Sequence, residues 1–181
     1  MNIGQELDLK LLLLLFTFII SLHAFSEEQI ATLQKIRDIA KTLPDRHGET
    51  YENTLSAICL TESSAGVNIV GDHRKGHALS KASLGAMQIR VKTARYIAKK
   101  TPSLKWLLKY SDAHIANMLL SNLDLSAQIA AHYIIILKHS RNDYMKVVSG
   151  YNGGLINFTY YNRVMKNMRL VRSLVKKGRL T

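Results

Sequence analysis

An all-α fold is what this sequence predicts, on two observations. Apolar residues return at three- and four-residue spacing along most of the chain, and no segment sustains the apolar–polar alternation of a half-buried strand. A further observation sets the domain count. Past the N-terminal apolar stretch there is no Pro/Gly/Ser-rich linker, low-complexity tract or internal repeat, so the rest reads as one unit. At 181 residues with an ordinary apolar fraction, the chain can bury a core of its own.

The first element is Leu11 to Leu22, an apolar run interrupted only by Thr17 and Ser21, of signal-peptide length and too short for a comfortable membrane span. Ala24-Phe25-Ser26 supplies small residues where a signal peptidase reads, although Glu6 and Asp8 oppose Lys10 before the run. Residues 1–26 are therefore expected to be an export leader and residues 27–181 the folded domain. The expected destination is the periplasm or the exterior, with membrane anchoring if the leader is retained.

Ile30, Leu33, Ile36, Ile39 and Leu43 predict an amphipathic helix over 28–43, stopped by Pro44. Leu55, Ile58 and Cys59 carry the same spacing up to Glu62 and put that carboxyl on the inner face near a helix C-terminus. Residues 66 to 83 are polar and broken by Gly71 and Gly76, which predicts a long loop. Helices follow over 91–100, after Pro102 (holding Trp106 and Leu107), and over 115–120 with Ser111 as N-cap. The apolar stretch 125–137 reads as the central buried helix, 143–149 as a short one, and 158–175 as a final basic one.

The formal net charge of +12 favours anionic partners: nucleic acid, an acidic membrane surface or a polyanionic wall. The leader argues against nucleic acid, and neither a helix-turn-helix signature nor zinc-finger spacing supports it. Cys59 is the single cysteine, so no intramolecular disulfide forms, and within Leu55–Leu60 it reads as a small core hydrophobe.

Three unlike segments carry the chemistry. Glu62 stands in Cys59-Leu60-Thr61-Glu62-Ser63-Ser64; Gly85-Ala86-Met87-Gln88-Ile89 comes next; Tyr151-Asn152-Gly153-Gly154 closes the set. A carboxyl behind Ile58 and Cys59 suits a general acid, because burial disfavours its charged form. The plain alternative is a helix-end Glu paired with a Lys or Arg. Gln88 offers donor and acceptor to sugar hydroxyls and acetamido groups. Gly153-Gly154 permits a sharp turn that presents Tyr151 and Asn152.

In this order the segments resemble the lysozyme-like lytic transglycosylases of the soluble-lytic-transglycosylase (SLT) type, over roughly residues 50 to 165. The resemblance implies a goose-type/SLT helical domain with a cleft, acting on peptidoglycan glycan strands without cofactor or metal. It implies Glu62 as the catalytic acid, Ser63 on the acetamido group or steadying the carboxyl, and Met87 on the cleft floor. Gln88 then contacts glycan, Tyr151 orients the Glu or the adjacent sugar, and Asn152 holds that wall. Tyr160, four residues before Val164, matches the element that ends the family's catalytic core; Tyr161 follows at once, and the sequence leaves open which ring faces the cleft. Ala86 stands where Leu is common, Gly153 replaces Ala, and the Pro after the second Gly is missing. Part of 66–83 is an insertion relative to compact members.

His73 and His77 beside Asp72 could suggest a metal, but Gly76 intervenes and a third ligand is not evident, so none is expected. Hydrolases normally pair two carboxyls across the bond. Only Glu62 has motif support; Asp72, Asp112, Asp124 and Asp143 have none, which favours a single-acid, substrate-assisted route. The resemblance then implies a 1,6-anhydromuramyl product. Alternatives are a goose-type hydrolase whose water is held by an Asp such as Asp72, and a non-catalytic wall-binding module of a secretion apparatus. Secretion or pilus machinery is a partner implied by resemblance alone. The basic run Arg163, Lys166, Arg169, Arg172, Lys176, Lys177 and Arg179 expects either a solvated face or contact with wall polymer or anionic membrane.

Overall fold

The computed structural model describes residues 25–72 and 76–181, so the expected leader lies outside the described residues apart from Phe25 and Ser26. Ser26 belongs to the fold. Its hydroxyl accepts from the Gln29 N–H while the Gln29 side chain accepts from the Ser26 N–H, a capping box that starts helix α1 (Glu27–Lys41). Helix α2 (Glu52–Ser63) follows, then strand β1 (Val70–Gly71), a 3₁₀ turn (Leu79–Lys81) and strand β2 (Ser83–Leu84). Helix α3 (Val91–Lys100), a 3₁₀ segment (Pro102–Lys109), α4 (Asp112–Ser121), α5 (Leu123–Ser140), α6 (Tyr144–Tyr151) and α7 (Phe158–Lys176) complete the chain. The helical fold class stands.

Most helices lie within two or three residues of their expected bounds. The loop 66–83 differs. It contains β1, which pairs antiparallel with β2 through Val70 opposite Leu84 and Gly71 opposite Ser83. Two-residue strands are too short to show an alternating pattern, so this lip was invisible to periodicity. His73 lies outside the described residues; among the described residues no group of three His, Cys, Asp or Glu side chains is placed to hold a metal.

Helix α2 is the axis of the core, and its most extensive packing is against α7. Leu55, Ile58 and Cys59 of α2, Val164 and Val171 of α7, and Ile129 and Ile134 of α5 are all fully buried. Each large aliphatic contributes about 1.5–3 kcal/mol of burial. The core runs continuously from Ile30 to Leu180, so residues 25–181 form a folding unit. Buried Arg37 donates to the Thr181 carbonyl at 2.7 Å and to Asn53 Oδ1 at 2.8 Å, which ties α1 to the end of the domain. Among the described residues no single helix is long and apolar enough to cross a bilayer.

Gly85 fixes how the cleft segment sits on this core. Its φ is +72°, and a Cβ there would lie 2.1 Å from the Leu119 carbonyl oxygen of α4. Gly153 has φ +87° but open space around it. Gly85→Ala is thus expected to lose about 3 kcal/mol or more, and Gly153→Ala only about 1–2 kcal/mol, in urea denaturation. Equal losses would contradict the close approach.

Candidate active site

Two successive left-handed residues, Ser64 at φ 54° and Ala65 at φ 58°, end α2 and return the Ala65 N–H to the Cys59 carbonyl. Glu62 therefore sits in the last helical turn, just before the chain swings away, and opens into a cleft of about 560 Å³. Gln88, Tyr133, Tyr151, Asn152, Tyr160 and Arg163 line the same cleft.

The Tyr160 hydroxyl donates to Glu62 Oε1 at 2.6 Å. Tyr160 is buried against the core at the start of α7, whereas Tyr161 turns away to meet the Tyr144 ring edge-on at 6.5 Å. The ring question is thereby answered: Tyr160 faces the carboxyl. Burial pushes the Glu62 carboxyl above the usual carboxylate range; the Tyr160 hydrogen bond and the Arg163 charge oppose the shift, and Asp72 adds to it. The negative end of the α2 dipole also disfavours an anion in the last turn. Burial and the neighbouring Glu62 hold the Tyr160 phenol far above its ordinary value, so it remains a donor.

Arg163 lies one helical turn after Tyr160. Its Nη2 donates to the Thr61 carbonyl at 3.0 Å, while Asn167 Nδ2 donates to Thr61 Oγ1 at 2.9 Å. Both contacts pin the end of α2 to α7, and Arg163 acts on Glu62 through its charge.

Tyr151 holds a different part of the wall from the one expected. Its hydroxyl donates to the Met87 carbonyl at 2.9 Å, and its ring tilts against Tyr133 with centroids 5.4 Å apart. Tyr133 in turn donates to the Gly150 carbonyl at 2.9 Å. Tyr151 thus orients the Gly85–Gln88 segment, while Tyr160 takes the contact with Glu62.

Ser63 and Met87, both expected at the substrate, have buried side chains. The Ser63 hydroxyl donates to the Ala86 carbonyl at 2.7 Å and accepts from the Gly66 N–H at 2.8 Å, which ties the end of α2 to the cleft segment. Met87 is sealed in the core beneath the cleft and does not line it.

Gln88 does line the cleft, held at φ 48°. Its Nε2 donates to the carbonyls of Asn68 at 3.1 Å and Gly85 at 2.9 Å, so its donors are committed to the loop. A Cβ at Gly71 would lie 2.1 Å from Gln88 Oε1, so a side chain there would displace the Gln88 amide. Asn152 stays exposed at the turn and accepts from Asn157 Nδ2 at 3.1 Å. Arg141 braces this turn by donating Nη1 to the carbonyls of Lys146 and Gly154.

Asp72 also reaches the cleft, but it is exposed and ion-paired with Arg90 at 3.0 Å. Cys59 is fully buried, and burial pushes its thiol up to about 12, which leaves no thiolate for nucleophilic work.

Tyr133, Arg90, Lys92 and Thr61 escaped the sequence reading as cleft residues. Arg163 was counted only within a basic surface; its position three residues after Tyr160 places it on an adjoining helical face and was the available signal. Tyr133 offered a weaker one, a phenol inside the apolar run of α5.

A helical domain with a half-buried carboxyl at the head of an open cleft defines a lysozyme-like class. Residues 45–169 match the family model described as the transglycosylase SLT domain, and the chain belongs to that family. Membership makes it a peptidoglycan-acting protein of lytic transglycosylase type. No curated protein and no solved structure matches the chain.

The raised Glu62 pKa has a sign that stability can read. In acid, Glu62 is protonated in folded and unfolded chains alike, so Glu62→Gln changes little. As pH rises through the raised folded-state value, the parent alone loses stability. The Tm of Glu62→Gln relative to the parent is expected to climb between about pH 4 and about pH 8 in calorimetry. A flat or falling difference would mean that burial does not govern this carboxyl.

Proposed function

We propose that this protein is a lytic transglycosylase that cleaves the β-1,4 bond between N-acetylmuramic acid and N-acetylglucosamine without water, using Glu62 as its single acid and base. One observation carries the reading. Glu62 is the cleft carboxyl with a desolvated setting and a phenol donor at 2.6 Å, while Asp72 is exposed and neutralised by Arg90. A carboxyl that keeps its proton can deliver it to the glycosidic oxygen.

In the reaction, the protonated Glu62 gives its proton to the departing N-acetylglucosamine oxygen as the C1–O bond breaks. The muramyl acetamido oxygen bonds to C1 and forms an oxazolinium. Glu62, now a carboxylate, removes the proton from the muramyl C6 hydroxyl, whose oxygen attacks C1 and releases the acetamido group. The enzyme regains its proton, and the product ends in a 1,6-anhydro ring. Tyr160 steadies the carboxylate stage through its hydrogen bond, and Arg163 adds a cation to that stage. An N-terminal export leader would deliver the domain to the periplasm or exterior, where the wall lies.

Asp72 at the cleft edge is the observation that keeps a goose-type hydrolase as the second reading. Digestion of purified sacculi by residues 25–181, followed by mass spectrometry of the muropeptides, separates the two. Anhydromuramyl ends resistant to borohydride are expected, with Asp72→Asn retaining that product. Glu62→Gln is expected to lose at least about 10²–10³-fold in rate, and Tyr160→Phe to slow turnover more than Tyr151→Phe. Reducible muramic ends, lost in Asp72→Asn, would establish the hydrolase instead. No release beyond the Glu62→Gln control would indicate a wall-binding module.

A further inference from the structure

Beyond Asp143 the chain carries no acidic residue, while eight lysines and arginines follow it. Two of these cations are engaged with the rest of the domain: Arg163 on the Thr61 carbonyl, and Arg179 on Glu27 at 2.8 Å. Lys166, Arg169 and Lys176 are instead exposed, at the three- and four-residue spacing of one helical stripe that begins at Phe158. At the head of this stripe the chain exposes three large apolar side chains together. Leu155, Ile156 and Phe158 are 67%, 47% and 61% exposed. Solvent gives no reason to cluster such groups, and contiguous exposed apolar surface beside charge marks an interaction site.

The combination selects among anionic partners. A wall polyanion or an acidic protein surface would match the cations, yet would leave the apolar tip without an environment. A bilayer with anionic headgroups accommodates both, since apolar side chains enter the headgroup–acyl boundary and lysine or arginine heads remain at the phosphate level. We propose that this face of α7 and the loop before it dock the domain on an anionic lipid bilayer. Leu155, Ile156 and Phe158 insert, and Lys166, Arg169 and Lys176 meet the headgroups. Asn152 and Gly153, which line the cleft, immediately precede the inserted loop, so docking would hold the cleft mouth beside the membrane. The inference does not depend on which reaction the cleft performs.

Cosedimentation of residues 25–181 with vesicles tests it, using phosphatidylcholine alone and phosphatidylcholine with phosphatidylglycerol. Binding is expected only where phosphatidylglycerol is present. Lys166→Glu/Arg169→Glu is expected to weaken it at least about tenfold, and Leu155→Ser/Phe158→Ser about tenfold at unchanged charge. Circular dichroism and Tm matching the parent would verify that these surface variants fold. Raising salt from about 0.1 M to about 0.5 M should weaken binding without abolishing it, because the apolar contribution is not screened. Absence of binding to the anionic vesicles would overturn the proposal. So would binding insensitive to Leu155→Ser/Phe158→Ser, which would reveal diffuse electrostatic adsorption.

Discussion

The hydrogen bond from Tyr160 to Glu62 is the constraint around which this domain is arranged. A half-buried carboxyl favours its neutral form, and a hydrogen-bond donor lowers the cost of ionising it. The phenol offers a compromise. It favours the carboxylate, while burial holds the pKa above the usual range, and the proposed acid and base roles of Glu62 rest on that opposition. That balance requires the end of α2 and the start of α7 to hold register, and 98 residues separate the two groups in sequence.

The surrounding contacts serve that register. Arg163 and Asn167 fasten α7 to Thr61, and Ser63 fastens the next residues of α2 to the Ala86 carbonyl. Tyr151 closes the circuit by gripping the Met87 carbonyl from α6. Three backbone groups of the cleft wall are thus gripped by side chains, and the glycines at 71 and 85 let the wall approach its neighbours without a clash. The polar groups beneath the cleft are spent on holding it in shape.

Much of this was legible beforehand, for identifiable reasons. Helical spacing located α2 and the buried side of Glu62, because the period of a helix is written directly in which residues are apolar. The Gly-led Gln segment and the Tyr-Asn-Gly-Gly turn were legible from composition and order. Roles were harder to read than places. Ser63 and Met87 stand next to cleft residues in sequence, but helix and turn geometry directs adjacent side chains to opposite faces. Tyr151 and Tyr160 are both phenols near the cleft; only the three-dimensional packing of α6 and α7 decides which one reaches the carboxyl. The β1–β2 lip was hidden because two residues cannot display a period, and Asp72 gained Arg90 as a partner through that lip.

The most direct test is the site-specific titration of the Glu62 side-chain carboxyl by carbon-13 NMR, with the resonance assigned by its disappearance in Glu62→Gln. A midpoint above the usual carboxylate range is predicted, moving higher still in Tyr160→Phe because the hydrogen bond favours the charged form. A midpoint at or below the ordinary value, or one unmoved by loss of the phenol, would contradict the claim that burial and Tyr160 together set the proton on Glu62.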